Sequence, residues 1–187
     1  PIEYVGGYFG TYRVLLSDLV ILSMCEPPLA EKAKVKQIDE VVRKIKPGIK
    51  IVHTIFRPKP LHPIADKKVF LTTTSPASMK GKLVGHLEKE YGAEVVGVSN
   101  NLSNRKVLRE EIESARGKFT VLLTELKAAA VDVVTSIGLD LGLEVIYLDN
   151  LPVTIEGDGE LEELVDWIGN RARANFARRK RSYEGQR

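Results

Sequence analysis

"VLLTELKAAAVDVV", Val121 to Val134, decides the fold. It opens as pure hydrocarbon, passes through Thr124, Glu125 and Lys127, and returns to apolar residues at helical spacing: Val131, Val134, Ile137 and Leu141. A short continuous apolar run suits a strand covered on both faces, as in a parallel sheet. Apolar residues every third or fourth position suit a helix packed on that sheet. The stretch therefore reads as a strand feeding a helix, with its charges at the junction.

The same grammar repeats on both sides. Strands are expected at Asp18–Met24, Lys50–Phe56, Val69–Thr74, Glu94–Ser99, Phe119–Thr124 and Glu144–Leu148. Helical spacing links Val35, Ile38, Val41, Val42 and Ile45, then Leu83, Leu87 and Tyr91, then Val107, Leu108 and Ile112. A glycine follows each helix, where a left-handed residue closes the last turn. Alternating strands and helices predict an α/β protein, a Rossmann-like open parallel sheet with flanking helices.

"RPKPLHPIADKK" (57–68) breaks the alternation with three prolines and reads as a linker. The expected domains are residues 1–66, the end of a larger domain plus linker; residues 67–156, an α/β domain able to fold alone; and residues 157–187, a final helix with a basic tail. That helix, expected from Leu161 to about Arg179, carries Leu161, Leu164, Val165, Ile168, Ala172 and Phe176 on one stripe.

Composition narrows the function classes. Of 187 residues, 43% are hydrophobic and 28% charged, which supports a packed core. A net charge of +3 is too weak to point to nucleic acid. "RARANFARRKR" (171–181) reads as a solvated helix end with cations where the helix dipole favours them. Cys25 is the sole cysteine, so no internal disulfide forms and a cytoplasmic setting fits. No apolar run reaches the roughly 20 residues of a membrane helix. The histidines lack metal-ligand spacing. The chain opens on Pro1, compatible with a piece of a longer protein.

Ligands of open parallel sheets bind outside the carboxyl ends of the strands, where helix N-termini favour anions. Thr72 to Ser75 crowd one such junction. Ser75 followed by Pro76 can cap a helix, and Thr74 and Ser75 can equally line an anion pocket. At the next junction Ser103 is a candidate cap, whereas Asn100, Asn101, Asn104 and Arg105 together suit phosphate or carboxylate oxygens. At the opening stretch, Lys127 in a first helical turn opposes the helix dipole, a cost that a bound anion would offset. Glu125 could hold Lys127, accept a hydroxyl proton or bind a metal through water; a plain surface ion pair is the alternative. Asp149 and Asn150 occupy the fourth junction. Together the four junctions favour one crevice for a multiply charged ligand. No glycine loop ending in GK[ST] is present, and "GGYFGTYR" (6–13) lacks that lysine.

Four segments carry a resemblance: "GYFGTYRVLLSDLVILSMCE" (7–26), "HTIFRPKPL" (53–61), "VVGVSNNLSNRKVLREE" (95–111) and "VLLTELKAAAVDVVT" (121–135). They resemble the carboxyl-terminal portion of the archaeal cyclic 2,3-diphosphoglycerate synthetases. The resemblance implies an ATP-dependent ligase that closes an intramolecular phosphoanhydride between the 2- and 3-phosphates, with ATP and Mg²⁺ as cofactors. It implies that residues 1–66 end a P-loop-type domain, with Glu26 of "SMCE" near the nucleotide. The partners implied are a small phosphorylated substrate and a missing amino-terminal nucleotide-binding part; a homo-oligomer is compatible, and neither membrane nor nucleic acid is expected. Arg57, Lys59, Arg105 and Lys127 would meet substrate phosphates, Asn100, Asn101, Ser103, Asn104, Thr124 and Asn150 would bind and orient them, and Glu125 with Lys127 would form the catalytic pair. The alternative is a stand-alone module that binds or senses a phosphorylated metabolite.

Overall fold

The computed structural model describes residues 2–126 and 131–184. The chain folds as two compact units. One comprises residues up to Phe56 together with those from Pro152 onward, and the other comprises Arg57–Leu151. Two strands, β2 (Lys50–Pro60) and β6 (Glu144–Gly157), run through the unit limits.

In the first unit, β1 (Leu19–Leu22) pairs with β2 in parallel, Leu19 opposite Lys50 and Leu22 opposite His53. Helix α3 (Lys32–Ile45) buries Val35 and Val42, and the cluster Val14, Val42, Ile49 and Ile51 forms the core. Helices α1 (Ile2–Gly6) and α2 (Tyr8–Leu16) complete this side. Sequence reading assigned no helix here, because Gly6, Gly7 and Gly10 depress helix propensity. Gly10 is required by packing: a Cβ there would strike the backbone of α1, 2.7 Å from the Cα of Val5. The last helix, α7, spans Leu161–Glu184. Leu164 is buried, but Phe176 is 71% exposed, so the predicted stripe is not buried along its whole length.

The expected linker is also a correction. Strand β2 continues through Pro58 to Pro60. A proline cannot donate to a sheet ladder and so needs a flank without a partner strand. Strand β1 pairs only as far as His53, which leaves such a flank beyond it.

In the second unit the strands lie in the order β6-β5-β3-β4, with β3 at Lys68–Thr72, β4 at Glu94–Ser99 and β5 at Val121–Glu125. Every pairing among these four is parallel. Helices α4 (Lys80–Tyr91), α5 (Arg105–Ser114) and α6 (Val131–Asp140) flank them. Phe70, Leu102, Leu108, Ile112, Phe119, Leu122, Val134 and Ile137 make the core, and Val121–Leu123 of β5 reads as unbroken hydrocarbon because it is buried. Gly92 closes α4 at φ 65°, the left-handed conformation the sequence required. The α/β class and the parallel sheet with flanking helices are as expected. Because the four strands point the same way, their carboxyl ends share one edge.

Candidate functional site

That edge carries the junction residues of the second unit. Thr72 and Thr73 are fully buried where β3 ends, and Glu125, 6% exposed, is the last residue of β5. Glu125 does not project as a surface ion-pair partner. The Thr73 hydroxyl donates to its Oε1. The Thr74 hydroxyl donates to its Oε2 at 2.7 Å, and the Thr74 N–H reaches the same oxygen at 3.2 Å. A carboxylate buried this deeply is tolerable because charge-assisted hydrogen bonds replace its water.

The carboxylate thereby fixes the turn after β3. Thr73 Oγ1 also accepts the Ser75 N–H at 3.0 Å, and the Ser75 carbonyl accepts the Asn100 side-chain N–H at 2.8 Å. The Thr73 N–H donates to the Ser99 carbonyl at 2.9 Å. Glu125, Thr73, Thr74, Ser75 and Asn100 thus form one continuous network across the ends of β5, β3 and β4. Ser75 is not a helix cap: the chain enters a 3-10 turn at Ala77 behind Pro76, without a side-chain cap. Pro76 itself takes the cap position, with extended backbone at ψ 147°.

Beyond β4, the cap of α5 is Asn104, whose Oδ1 accepts the Val107 N–H at 3.3 Å; Ser103 is exposed and does not fill that place. Asn101 gives its side-chain N–H to Glu111 Oε1 at 2.9 Å and its backbone N–H to Ser99 Oγ at 3.1 Å. Arg105 stands 3.4 Å from Asp132. On β6, Asn150 is half-buried and its N–H turns to Asp149 Oδ1. Leu61 N–H reaches the Tyr147 carbonyl at 2.9 Å, so the end of β2, with half-buried Arg57 and exposed Lys59, adjoins β6 close to Asn150. Lys127 lies outside the described residues.

Two buried polar atoms at this edge have no hydrogen-bond partner among the described residues, Thr124 Oγ1 and Glu111 Oε2. Sequence reading missed Thr73 as the bridging residue and Glu111 as the anchor of Asn101. Glu111 falls on the exposed-looking side of an amphipathic pattern, and only the fold of the preceding loop brings Asn101 onto it.

The first unit holds a separate feature, a cleft of about 480 Å³ lined by α3, β2 and the end of β6. Inside it, His53 Nε2 lies 3.0 Å from Asp39 Oδ2. Arg43 bridges Asp39 at 2.6 Å and Asp158 at 3.1 Å. The Asp158 carboxylate also accepts the Ile51 N–H at 2.8 Å. Burial alone would raise the Asp158 pKa; the Ile51 N–H and Arg43 outweigh it and hold the group below the ordinary carboxylate range. Cys25 lines the same cleft and gives its thiol to the Leu22 carbonyl. Burial pushes that thiol's pKa up, against a reactive role. Glu26, the expected nucleotide contact, is buried next to it. Among the described residues no group of three or more His, Cys, Asp or Glu side chains is placed to hold a metal. No helix among them is long and apolar enough to cross a membrane.

Comparison with known proteins places these units. Residues 60–151 match the model of the cyclic 2,3-diphosphoglycerate synthetase C-terminal domain, and residues 1–55 match that of the P-loop domain of the same synthetase. The chain is 46% identical over 181 residues to the cyclic 2,3-diphosphoglycerate synthetase of Methanothermobacter thermautotrophicus, covering 96% of this chain and 39% of that protein. It is 43% identical over 166 residues to the synthetase of Methanothermus fervidus, covering 88% and 36%. With that of Rubrobacter xylanophilus it shares 46% identity over 167 residues, covering 89% and 38%. The chain therefore spans well under half the length of these relatives. The P-loop match over residues 1–55 agrees with what the resemblance implied for the first residues, so the chain is not only the carboxyl-terminal domain. Over both regions, the chain is homologous to the cyclic 2,3-diphosphoglycerate synthetases.

Proposed function

We propose that the second unit is the substrate-binding part of an ATP-dependent synthetase that closes 2,3-diphosphoglycerate into its cyclic phosphoanhydride. The observation that carries this reading is the joining of three strand ends by the Glu125 network at the edge where parallel sheets bind ligands, in a chain homologous to such synthetases.

The substrate carries two phosphates and a carboxylate, and ring closure presses the phosphates together. Like charges 4 Å apart repel by about 4 kcal/mol at an intermediate dielectric. Arg57, Lys59, Arg105 and Lys127 neutralise that charge, and Asn100, Asn104, Thr124 and Asn150 orient the phosphates. Glu125 acts as a positioning residue, because both of its oxygens already hold the Thr73–Thr74 turn. Asn101 positions the loop after β4 through Glu111. ATP supplies a phosphoryl group to one substrate phosphate. An oxygen of the other substrate phosphate then attacks the phosphorus of the phosphorylated one, and the bond to the added phosphoryl group breaks, so that it leaves as orthophosphate while the ring anhydride forms. ATP and Mg²⁺ belong, on this reading, with the part of the synthetase that carries a phosphate-binding glycine loop; the present sequence has no GK[ST].

The test is a titration of the chain with 2,3-diphosphoglycerate and, separately, ATP, read by melting temperature. The expected result is a rise with the first. Arg105→Ala weakens it, and Lys127→Met abolishes it without changing the melting of the ligand-free protein. A shift that is unaffected by both substitutions, or no shift at all, defeats the assignment. The second reading is a module that senses a phosphorylated metabolite at the same strand ends. It requires tight binding with no turnover when the rest of the synthetase is supplied.

A further inference from the structure

His53 lines the cleft of the first unit and is 5% exposed. Its Nε2 lies 3.0 Å from Asp39 Oδ2, and the other oxygen of Asp39 accepts Arg43 Nε. A carboxylate only accepts, so Nε2 carries the ring proton and Nδ1 is left as a bare acceptor. Nδ1 is buried and meets no hydrogen-bond partner among the described residues. Glu156 Oε2, a second acceptor, stands 3.8 Å from it. Two acceptors therefore face each other, and an acceptor buried in this way calls for a donor from outside the chain. The arrangement is built into the backbone. Gly157 has φ 139°, and a Cβ there would lie 2.8 Å from the Val52 Cα. Only glycine lets the end of β6 press onto β2 and bring Glu156 to His53. Asp158 locks the same turn: its N–H donates to the Ile51 carbonyl at 2.8 Å, and its carboxylate accepts the Ile51 N–H at 2.8 Å.

We propose that this cleft binds a small zwitterion, its ammonium seated between His53 Nδ1 and Glu156 and its carboxylate or phosphate held by Lys32 and Lys36. The site lies within the first unit and stands whether or not the synthetase reading holds. A single nitrogen about 2.9 Å from each acceptor, an ordinary hydrogen-bond length, spans the gap between them. A transition-metal ion about 2.1 Å from each would have to open its ligand angle to about 130°, wider than a tetrahedral site asks. The acids select a cation over a neutral donor. Arg43 is shared between Asp39 and Asp158, and Glu156 adds a third carboxylate, so this end of the cleft is net negative. The Glu156 side chain is 79% exposed, so its carboxylate can turn aside to admit the ligand. The other end is basic. Lys32, Lys36, Asp39 and Arg43 all line the cleft. Their spacing of three and four residues sets them in one stripe along α3. Lys36 and Lys32 lie about 5 and 10 Å along the helix axis from Asp39. The charge of the cleft therefore reverses over the length of a short methylene chain, and Val35 and Ile155 line it where such a chain would lie. A volume of about 480 Å³ is in the range of small-molecule sites.

The test is isothermal titration calorimetry of the 187-residue chain with 4-aminobutyrate and, separately, with phosphoethanolamine. Butylammonium and butyrate, each with one charged end, are the controls. At least one zwitterion is expected to bind, and both controls to bind about tenfold or more weakly than it, since each charged contact is worth at least that factor. The tighter of the two zwitterions assigns the anionic end as carboxylate or phosphate. Glu156→Gln is expected to weaken binding by about tenfold, and so is Lys32→Gln combined with Lys36→Gln. These side chains are exposed, so the variants keep the fold. Lys44→Gln, exposed on the same helix but outside the cleft, is expected to leave binding unchanged. In the ¹⁵N-labelled chain the His53 Nδ1 resonance is expected to move upfield as the ammonium donates to it, a change that a purely structural histidine would not show. Four outcomes overturn the proposal: no binding of either zwitterion at millimolar concentration, butylammonium binding as tightly as the zwitterions, affinity unchanged in both cleft variants, or an Nδ1 resonance that does not move. Displacement of the zwitterion by ATP also overturns it, because the cleft would then serve the nucleotide.

Discussion

Thr74 gives both its hydroxyl and its backbone N–H to one oxygen of Glu125, at 2.7 Å and 3.2 Å, which ties the turn after β3 to the end of β5. The other oxygen receives the Thr73 hydroxyl. Glu125 is thus an internal fastener of the ligand edge.

Replacing it should cost far more than a surface charge does. Glu125→Ala leaves two hydroxyls and an N–H without their acceptor, and unfolding free energy should fall by about 3 kcal/mol. Thr73→Val removes one donor and should cost about 1 to 2 kcal/mol. Urea denaturation followed by circular dichroism measures both. A loss below about 0.5 kcal/mol for Glu125→Ala, the range of an exposed site, would contradict the network.

Asp158 sets a pH dependence in the first unit. Its pKa is held below the ordinary value of 3.8 by the Ile51 N–H and Arg43, which outweigh burial. The unfolded chain therefore binds more protons than the folded one as pH falls through the range just below 3.8. The stability that Asp158 contributes is fully present above that value and disappears below the folded pKa. Asp158→Asn should lower stability at pH 7 by about 1 to 2 kcal/mol and flatten the acid limb of the stability curve. Denaturation at a series of pH values between 2 and 7, run on both proteins, reads this out.

Two glycines should respond with opposite signs. At Gly10 a Cβ would collide with the α1 backbone, so Gly10→Ala should destabilise by about 1 to 3 kcal/mol. At Gly85, inside α4, a Cβ meets nothing within 4 Å. Gly85→Ala should stabilise by about 0.5 to 1 kcal/mol, because alanine loses less backbone entropy in a helix. Thermal melts of the two variants side by side decide the matter.

Cys25 should be inert in the native protein. Burial raises its pKa and the thiol is given to the Leu22 carbonyl at 3.2 Å. Labelling by a thiol reagent near pH 8 should be slow until denaturant is added, then complete within the unfolding transition. Rapid labelling of the folded chain would show that the cleft wall is open at that residue.

How much of this was legible beforehand depends on the range of the interaction. The strands and helices of the second unit are local patterns. An unbroken apolar run such as Val121–Leu123 encodes a doubly covered strand, and Gly92 encodes a helix end through its own φ. Thr74, Ser75, Asn100 and Glu125 stood out because polar residues at strand ends have no packing reason to be there. The helix α2 did not stand out, since its glycines hide a close helix contact that propensity alone reads as a loop.

The sequence by itself determined the alternation of strand and helix, the parallel sheet and the polar character of its carboxyl edge, because each follows from periodicity within a few residues. Only the tertiary structure decided that Glu125 turns inward onto Thr73 and Thr74, that β2 runs on through two prolines, and that residues from Pro152 onward fold with the first unit. These depend on which distant segments meet, 51 or 52 residues apart in the case of Glu125 and the threonines, and no local pattern carries that information.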